Sequence, residues 1–295
     1  MNEIEKNSLK AWWLAARPKT LTGAAVPVMI GVATAFADGT FQMIPAMLCF
    51  LFAFLMQIDA NFVNDYYDFK KGLDDEHRLG PKRACAEGWI SLPAMRNGII
   101  VTTLLSCMAG LPLVLYGGYW LVMIGVACVL FTFLYTTTLA RVGAGDLLVL
   151  LFFGIVPVCM TYYLQTHCIT WQVFLLSLAS GLVVDGLLVV NNYRDVENDK
   201  RGGKVTLVVL LGKKTAENLY LWLGITTVAL CQTMWMSGQI LAAVLPFLFL
   251  VFHVFTWRKM KKIAVGKELN QVLGDTARNI FIFGLLVTIG LIIKV

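Results

Sequence analysis

Charge is what this chain is short of. Only 14% of its 295 residues are Asp, Glu, Lys or Arg, against about 25% in an ordinary soluble domain. Meanwhile 58% are hydrophobic and mean hydropathy is +0.74. This balance excludes a soluble globular domain and predicts a polytopic membrane protein. Ser- or Pro-rich linkers and low-complexity tracts are also missing. The apolar runs follow one another with short breaks, which predicts one bundle and a single domain over 1–295. The cysteines, at 49, 85, 107, 128, 159, 168 and 231, form no C-x-x-C pair. They read as small packing residues rather than disulfides or zinc ligands. His77, His167 and His253 are too dispersed for a zinc site. Residues 1–16 lack a signal-peptide core and cleavage site. Trp12 and Trp13, between Lys10 and Arg17, instead predict an interfacial N-terminal segment.

Apolar runs of roughly 17–22 residues are what a bilayer crossing requires. They predict about nine transmembrane helices, near 20–36, 43–62, 98–115, 119–138, 147–165, 171–190, 219–237, 240–257 and 279–295. With the N-terminus placed in the cytoplasm, every Lys and Arg except Lys294 falls on the cytoplasmic side. That asymmetry is the positive-inside pattern. The net charge of +6 is explained by this bias, so no nucleic-acid partner is expected. The basic run Arg258, Lys259, Lys261 and Lys262 reads as topology signal and anionic-lipid contact.

Two polar clusters interrupt the apolar chain. Asn61, Asn64, Asp65 and Asp68 are followed by Asp74; the second cluster is Asn191, Asn192, Asp195 and Asp199. Their spacing of three and four residues stacks them on one helical face. They also form an internal repeat. Asn64-Asp65-Tyr66-Tyr67-Asp68 aligns with Asn191-Asn192-Tyr193-Arg194-Asp195, and a basic, glycine-containing loop follows each. One cluster at a helix end would read as caps. Two on the same membrane side, where acids are costly, predict a binding site in a central cavity.

A hard divalent cation carrying a diphosphate suits such a site. Mg²⁺ takes octahedral oxygen coordination, usually from one or two carboxylates plus substrate phosphates. Asp65, Asp68, Asp74, Asp195 and Asp199 offer anionic ligands; Asn64 and Asn191 offer neutral oxygens. Asn61, Asn192, Arg194, Lys204, Arg78, Arg83 and Lys19 are expected to bind substrate, the cations by neutralising phosphate oxygens. A lipid diphosphate also needs an apolar tunnel. Aromatic residues make up 12% of the chain, and their faces stabilise allylic cations. Tyr66, Tyr67, Tyr135, Tyr162 and Tyr193 are the candidates.

At these residues the chain resembles the UbiA superfamily of intramembrane prenyltransferases. It is most similar to the branch acting on 1,4-dihydroxy-2-naphthoate in menaquinone synthesis. The resemblance rests on Arg17-Pro18-Lys19-Thr20-Leu21, on the run from Asn64 through Asp74, and on Gly80-Pro81-Lys82-Arg83 and Gly88-Trp89-Ile90-Ser91. It continues in the second cluster and in Gly203-Lys204-Val205-Thr206-Leu207. It implies an all-α fold of nine transmembrane helices with a cytoplasmic cap over a central cavity, in the inner (cytoplasmic) membrane. It also implies Mg²⁺-dependent transfer of a polyprenyl group from its diphosphate to dihydroxynaphthoate. Carboxylate is then lost as CO₂, giving demethylmenaquinone. Catalysis would fall to Asp65, Asp68, Asp195 and Asp199.

Some positions depart from the branch pattern. Asp146 stands where Glu is usual, in a loop expected to contact the acceptor, and Leu210 replaces an Arg. Asp59 and Asp185 are extra carboxylates, membrane-ward of each cluster. Two other readings stand beside this one. The first is a related prenyltransferase with another aromatic acceptor. The second is a cation-coupled transporter, which also uses intramembrane acids but binds near the midplane. Prenyl length and oligomeric state are not encoded legibly.

Overall fold

The computed structural model describes residues 4–72, 78–139 and 142–293. Among them every regular element is helical, and one isolated parallel bridge joins Val142 to Val205. A short helix α1 (Leu9–Ala16) leads through a 3₁₀ turn (Pro18–Thr20) into α2 (Leu21–Ala37). There follow α3 (Met43–Lys70), α4 (Leu92–Gly110), α5 (Val114–Gly117) and α6 (Leu121–Thr137). Next come α7 (Gly145–Leu150), α8 (Val156–Thr166), α9 (Trp171–Arg201), α10 (Leu207–Leu211) and α11 (Lys213–Cys231). The chain closes with α12 (Ile240–Val244), α13 (Pro246–Ile263) and α14 (Leu269–Ile292).

Several of these elements run on into one another. Among the described residues, eight continuous helical stretches are long and apolar enough to cross a membrane, and the shorter α6 stands where another span was expected. The all-α, multi-pass expectation therefore holds. The boundaries shift in an informative way. Both α3 and α9 continue straight through their polar clusters, to Lys70 and Arg201. Those residues face protein and cavity rather than lipid, so the helix has no reason to end there. Likewise α14 begins ten residues before the expected 279, because Asp275 is paired with Lys259 of α13 at 2.8 Å and with Arg278 at 3.5 Å.

Where α8 and α9 cross, the sequence explains the geometry. Pro157 has no amide hydrogen and cannot bond the carbonyl four residues back, at Phe153. The ladder widens there into a π turn over Leu151–Ile155. The Ser180 hydroxyl of α9 donates to the Phe153 carbonyl at 3.3 Å. Gly154 and Gly181 make the approach close. A Cβ on Gly154 would lie 2.5 Å from the Ser177 carbonyl oxygen, and one on Gly181 would lie 2.7 Å from Leu150 Cδ1. Small residues at a crossing let helix backbones touch where lipid offers no hydrophobic drive.

The extra acid Asp59 is fully buried on α3 and accepts hydrogen bonds from Thr102 (2.5 Å) and Thr103 (2.9 Å) of α4. It therefore joins two helices through hydroxyls and has no basic partner in that network. At the N-terminus, Trp12 packs edge-on against Phe62, while Leu9 and Trp13 remain exposed.

The crossing yields a paired test. Alanine favours a helix over glycine by about 1 kcal/mol. Gly154→Ala should nonetheless lower the melting temperature in detergent by several degrees. Gly125→Ala, where a Cβ meets nothing within 4 Å, should hold or raise it. Equal shifts in thermal melting would show that the π turn and α9 do not need this contact.

Candidate active site

A cavity of about 1260 Å³ runs through the bundle. Its lining includes α6 from Leu121 to Tyr135 and Thr136, a stretch of roughly 20 Å at 1.5 Å per residue. Towards one end the walls are apolar, with Leu111, Leu113, Val114 and Leu121. Phe131 and Phe152 meet along its side with ring centroids 4.8 Å apart. The other end gathers polar groups from the C-terminal ends of α3 and α9, the start of α2, the 78–83 segment and the start of α14.

Helical arithmetic explains which cluster residues reach it. At about 100° per residue, Asn64 and Asp68 share one edge of the polar face, and Asn61 and Asp65 share the other. Asn64 and Asp68 line the cavity. Asn61 turns away: its amide donates to the Ala16 carbonyl and to Thr20 Oγ1, both at 2.9 Å. It fastens the α1–α2 corner. Asp65 is also fully buried and off the cavity wall. Its two oxygens accept the backbone N–H groups of Ala84 and Cys85, each at 2.9 Å, and Arg17 lies 3.6 Å away. Asp65 thus holds the segment that delivers Arg83, whose guanidinium bonds Asp68 at 3.0 Å. The side chain expected to ligate a metal is committed to backbone amides.

On α9, Asn191, Asp195 and Asp199 line the cavity, together with Asn198. Asn198 was not anticipated, although its position three residues after Asp195 and seven after Asn191 was the available signal. Arg194 corrects a second expectation. It is 3% exposed and does not line the cavity. Its guanidinium donates to both oxygens of Asp195, to Asn191 Oδ1 at 2.7 Å and to Asn270 Oδ1 at 2.8 Å. Arg194 orients the wall instead of facing a ligand. Asn270 of α14, with no counterpart in the motifs, donates in turn to the Leu79 carbonyl at 2.8 Å.

Lys19, Arg78, Arg83 and Lys204 all line the cavity, as do Arg17 and Arg278. Arg78 donates to the Pro81 carbonyl at 3.1 Å. Lys204 Nζ lies 3.5 Å from Asp199 Oδ1. It is returned towards α9 by a turn whose Gly203 has φ +64°, a backbone conformation glycine adopts freely. The Asn64 oxygen accepts from Thr136 Oγ1. Asp146 and Asn192 face a smaller adjoining pocket, and Tyr135 borders both spaces. The other candidate tyrosines lie elsewhere. Tyr193 bonds Glu217 at 2.8 Å, Tyr162 bonds Asp38 at 2.7 Å, and Tyr66 stacks edge-on against Tyr67. Asp74 lies outside the described residues.

Among the described residues no three carboxylate, histidine or cysteine side chains converge on one point. Of the expected metal set, Asn64, Asp68, Asn191, Asp195 and Asp199 line the cavity and Asp65 stands behind its wall. What the walls offer is separate carboxylates, Asp68 on one side and Asp195 and Asp199 on the other, with amide oxygens beside them. Asp199 Oδ2 is buried without a hydrogen-bond partner. Hard oxygen donors in ones and twos fit Mg²⁺ that is completed by substrate phosphates.

An anion-lined, cation-rimmed chamber opening into an apolar shaft defines a membrane protein built for a lipid with a charged head. The comparisons agree. The model of the UbiA prenyltransferase family matches residues 24–269, and the chain belongs to that family as a membrane prenyltransferase. It is 37% identical to 1,4-dihydroxy-2-naphthoate octaprenyltransferase of Haemophilus influenzae, covering 69% of this chain and 70% of that protein. It is 32% identical to the enzyme of the same name from Mycobacterium leprae, over 91% and 92% of the two chains. In fold it is similar to the apo structure of a UbiA homolog from Aeropyrum pernix K1, with TM-score 0.70 and 14% identity, covering 91% of this chain and 96% of that one. It is also similar to an Archaeoglobus fulgidus UbiA homolog bound to DMAPP and Mg²⁺, with TM-score 0.61 and 14% identity, over 94% and 99%.

The two acids of the first cluster should separate in experiment. An amide at position 65 offers one oxygen to two buried N–H groups, and an unmet buried group costs about 1–3 kcal/mol. Asp65→Asn should lower thermal stability. Asp68→Asn keeps an oxygen that can accept from the buried Arg83 and leaves no backbone N–H unmet, so it should lower melting less than Asp65→Asn does, while turnover collapses. Paired melting and prenyl-transfer assays check this; the opposite pattern would exchange the two roles.

Proposed function

We propose that this protein transfers a polyprenyl group from polyprenyl diphosphate to 1,4-dihydroxy-2-naphthoate, with decarboxylation to demethylmenaquinone. Its helices would work as a single domain in the cytoplasmic membrane. The observation that carries the reading is the shared chamber of Asp68, Asp195 and Asp199 at the head of an apolar cavity. The relatives' naphthoate specificity supports the acceptor assignment. The concentration of Lys and Arg at the chamber end supports a cytoplasmic mouth and N-terminus.

In this reading the prenyl chain lies in the apolar shaft, whose aromatic walls exclude water from the allylic carbon. The diphosphate occupies the chamber, where Lys19, Arg78, Arg83 and Lys204 balance its charge. Asn64, Asp68, Asn191, Asp195 and Asp199 would hold Mg²⁺, which when bound stabilises charge developing on the leaving diphosphate. Arg194 keeps Asp195 and Asn191 aimed, so the wall is organised before substrate arrives. Positive charge grows on the allylic carbon next to Phe131 and Phe152, and the electron-rich ring attacks there.

In membranes supplied with polyprenyl diphosphate and dihydroxynaphthoate, demethylmenaquinone and CO₂ should form, and EDTA should stop both. Asp195→Ala should reduce turnover by at least a hundredfold while the protein still inserts. Chelator-resistant turnover would defeat the metal assignment. Preferential prenylation of 4-hydroxybenzoate would move the acceptor assignment to another branch.

A further inference from the structure

Beside the chamber lies a second, much smaller polar pocket of about 10 Å³, room for a single water-sized group. It is bounded by Tyr135, Asp146, Leu188, Asn192, Lys204 and Thr206, and it shares Tyr135, Leu188 and Lys204 with the main cavity. Two turns are stitched together to make it. Val142 bridges Val205, and a Cβ on Gly143 would sit 3.6 Å from the Val205 carbonyl oxygen. Helix α7 then runs against α9 in the opposite sense: Gly145 abuts Leu188, and Leu150 abuts Gly181. Asp146 is thereby set level with the 185–188 turn of α9.

Hydrogen bonding in this corner is incomplete in one direction only. Asp146 Oδ1, Asp185 Oδ1 and Asn192 Oδ1 are each buried with no hydrogen-bond partner. Asp185 is 6% exposed and Asn192 is 2% exposed. Asp185, Leu188 and Asn192 fall at i, i+3 and i+7, on one face of α9. Asn192 and Asp146 line the pocket, and Asp185 stands one turn behind. Buried acceptors are ordinarily satisfied. Two of these open acceptors line the water-sized space and the third stands behind it; among the described residues the one cation lining the pocket, Lys204, is turned to Asp199.

We propose that this pocket receives one phenolic hydroxyl of the aromatic acceptor, with Asp146 taking its proton and Asp185 positioning that acid from behind. The inference rests on the acceptor being a hydroxylated naphthoate, as read above. The ring lies in the main cavity, and the hydroxyl concerned is the one ortho to the carboxylate, conjugated with the carbon attacked. Its proton passes to the Asp146 carboxylate as its oxygen pushes an electron pair into the ring. The ring carbon bonds the allylic carbon of the prenyl group, and the carbon–oxygen bond to diphosphate breaks with its pair on the diphosphate. Loss of CO₂ returns the pair to the ring, and Asp146 gives the proton back to the oxygen. Asp146 is consequently a catalytic residue and Asp185 a positioning residue. A site built to bond a hydroxyl rejects analogues that lack it.

Dissociation constants, read by displacement of labelled dihydroxynaphthoate without turnover, test this with two analogues. 1-Hydroxy-2-naphthoate keeps the ortho hydroxyl and 4-hydroxy-2-naphthoate does not. The wild-type protein should prefer the first by about tenfold. In Asp146→Asn and Asp185→Asn that preference should fall below about threefold, while both still bind polyprenyl diphosphate in the presence of Mg²⁺. The ratio does not depend on the fraction of protein folded. An undiminished preference in Asp146→Asn overturns the pocket's role; an undiminished preference in Asp185→Asn alone removes Asp185 from it. If the wild-type protein fails to prenylate dihydroxynaphthoate at all, the functional reading has failed, and the pocket assignment goes with it.

Discussion

One guanidinium organises the polar end of this bundle. Arg194 is buried and spends its donors on Asp195, Asn191 and Asn270. Through Asn270 and the Leu79 carbonyl it also reaches the segment that carries Arg78 and Arg83. Gly80 lies so close that a Cβ there would come within 2.9 Å of Arg194 Nη2. A buried charge is tolerable only when paired and hydrogen-bonded, and here the pairing joins α9, α14 and the loop covering the chamber. Lysine could not replace it, since a single ammonium has no planar fork to hold three partners at fixed angles.

The same constraint orders the rest of the chamber. Asp68 meets Arg83, Asp195 meets Arg194, and Asp199 faces Lys204. Each carboxylate that borders the cavity therefore has a cation of the protein beside it. In the proposed function, an incoming diphosphate would bring negative charge and its counter-cation together, so these pairs would need only to rearrange locally. The apolar shaft beyond them makes no such demand. Its lining is set by helix crossings, among them the Gly154–Gly181 contact that brings Phe152 and Phe153 to the wall.

Much of this was legible in the chain. Scarcity of charge gave away the membrane, and the apolar runs marked the spans to within several residues. The polar clusters marked the chamber, because a helix that carries acids into a membrane must aim them at something. What the pattern hid was which edge of each polar face the cavity would take. Asn61 and Asp65 share the helix face of Asn64 and Asp68 yet hold backbone behind the wall, a difference decided by the neighbouring α1 and 83–85 segments. Asn270 and Arg278 lay beyond reach for another reason. They reach the site from a helix distant in sequence, and no local spacing announces a partner supplied by tertiary packing.

The internal repeat is imperfect, and its imperfections divide the labour between the two walls. Asp68 and Asp195 correspond, and each is held by an arginine. For Asp195 that arginine is its sequence neighbour. At the matching place in the first repeat stands Tyr67, and Arg83 is brought in from the loop instead. That loop must be anchored, and the anchor is Asp65, whose oxygens hold the Ala84 and Cys85 amides. The residue aligned with Asp65 in the second repeat is Asn192. Because Arg194 already holds that wall from within α9, Asn192 has no loop to fasten, and its oxygen is left open towards the small pocket. A position spent on structure in one half is thus released for binding in the other. The two walls are alike where a diphosphate would sit between them, and they differ where a second substrate would approach from one side only.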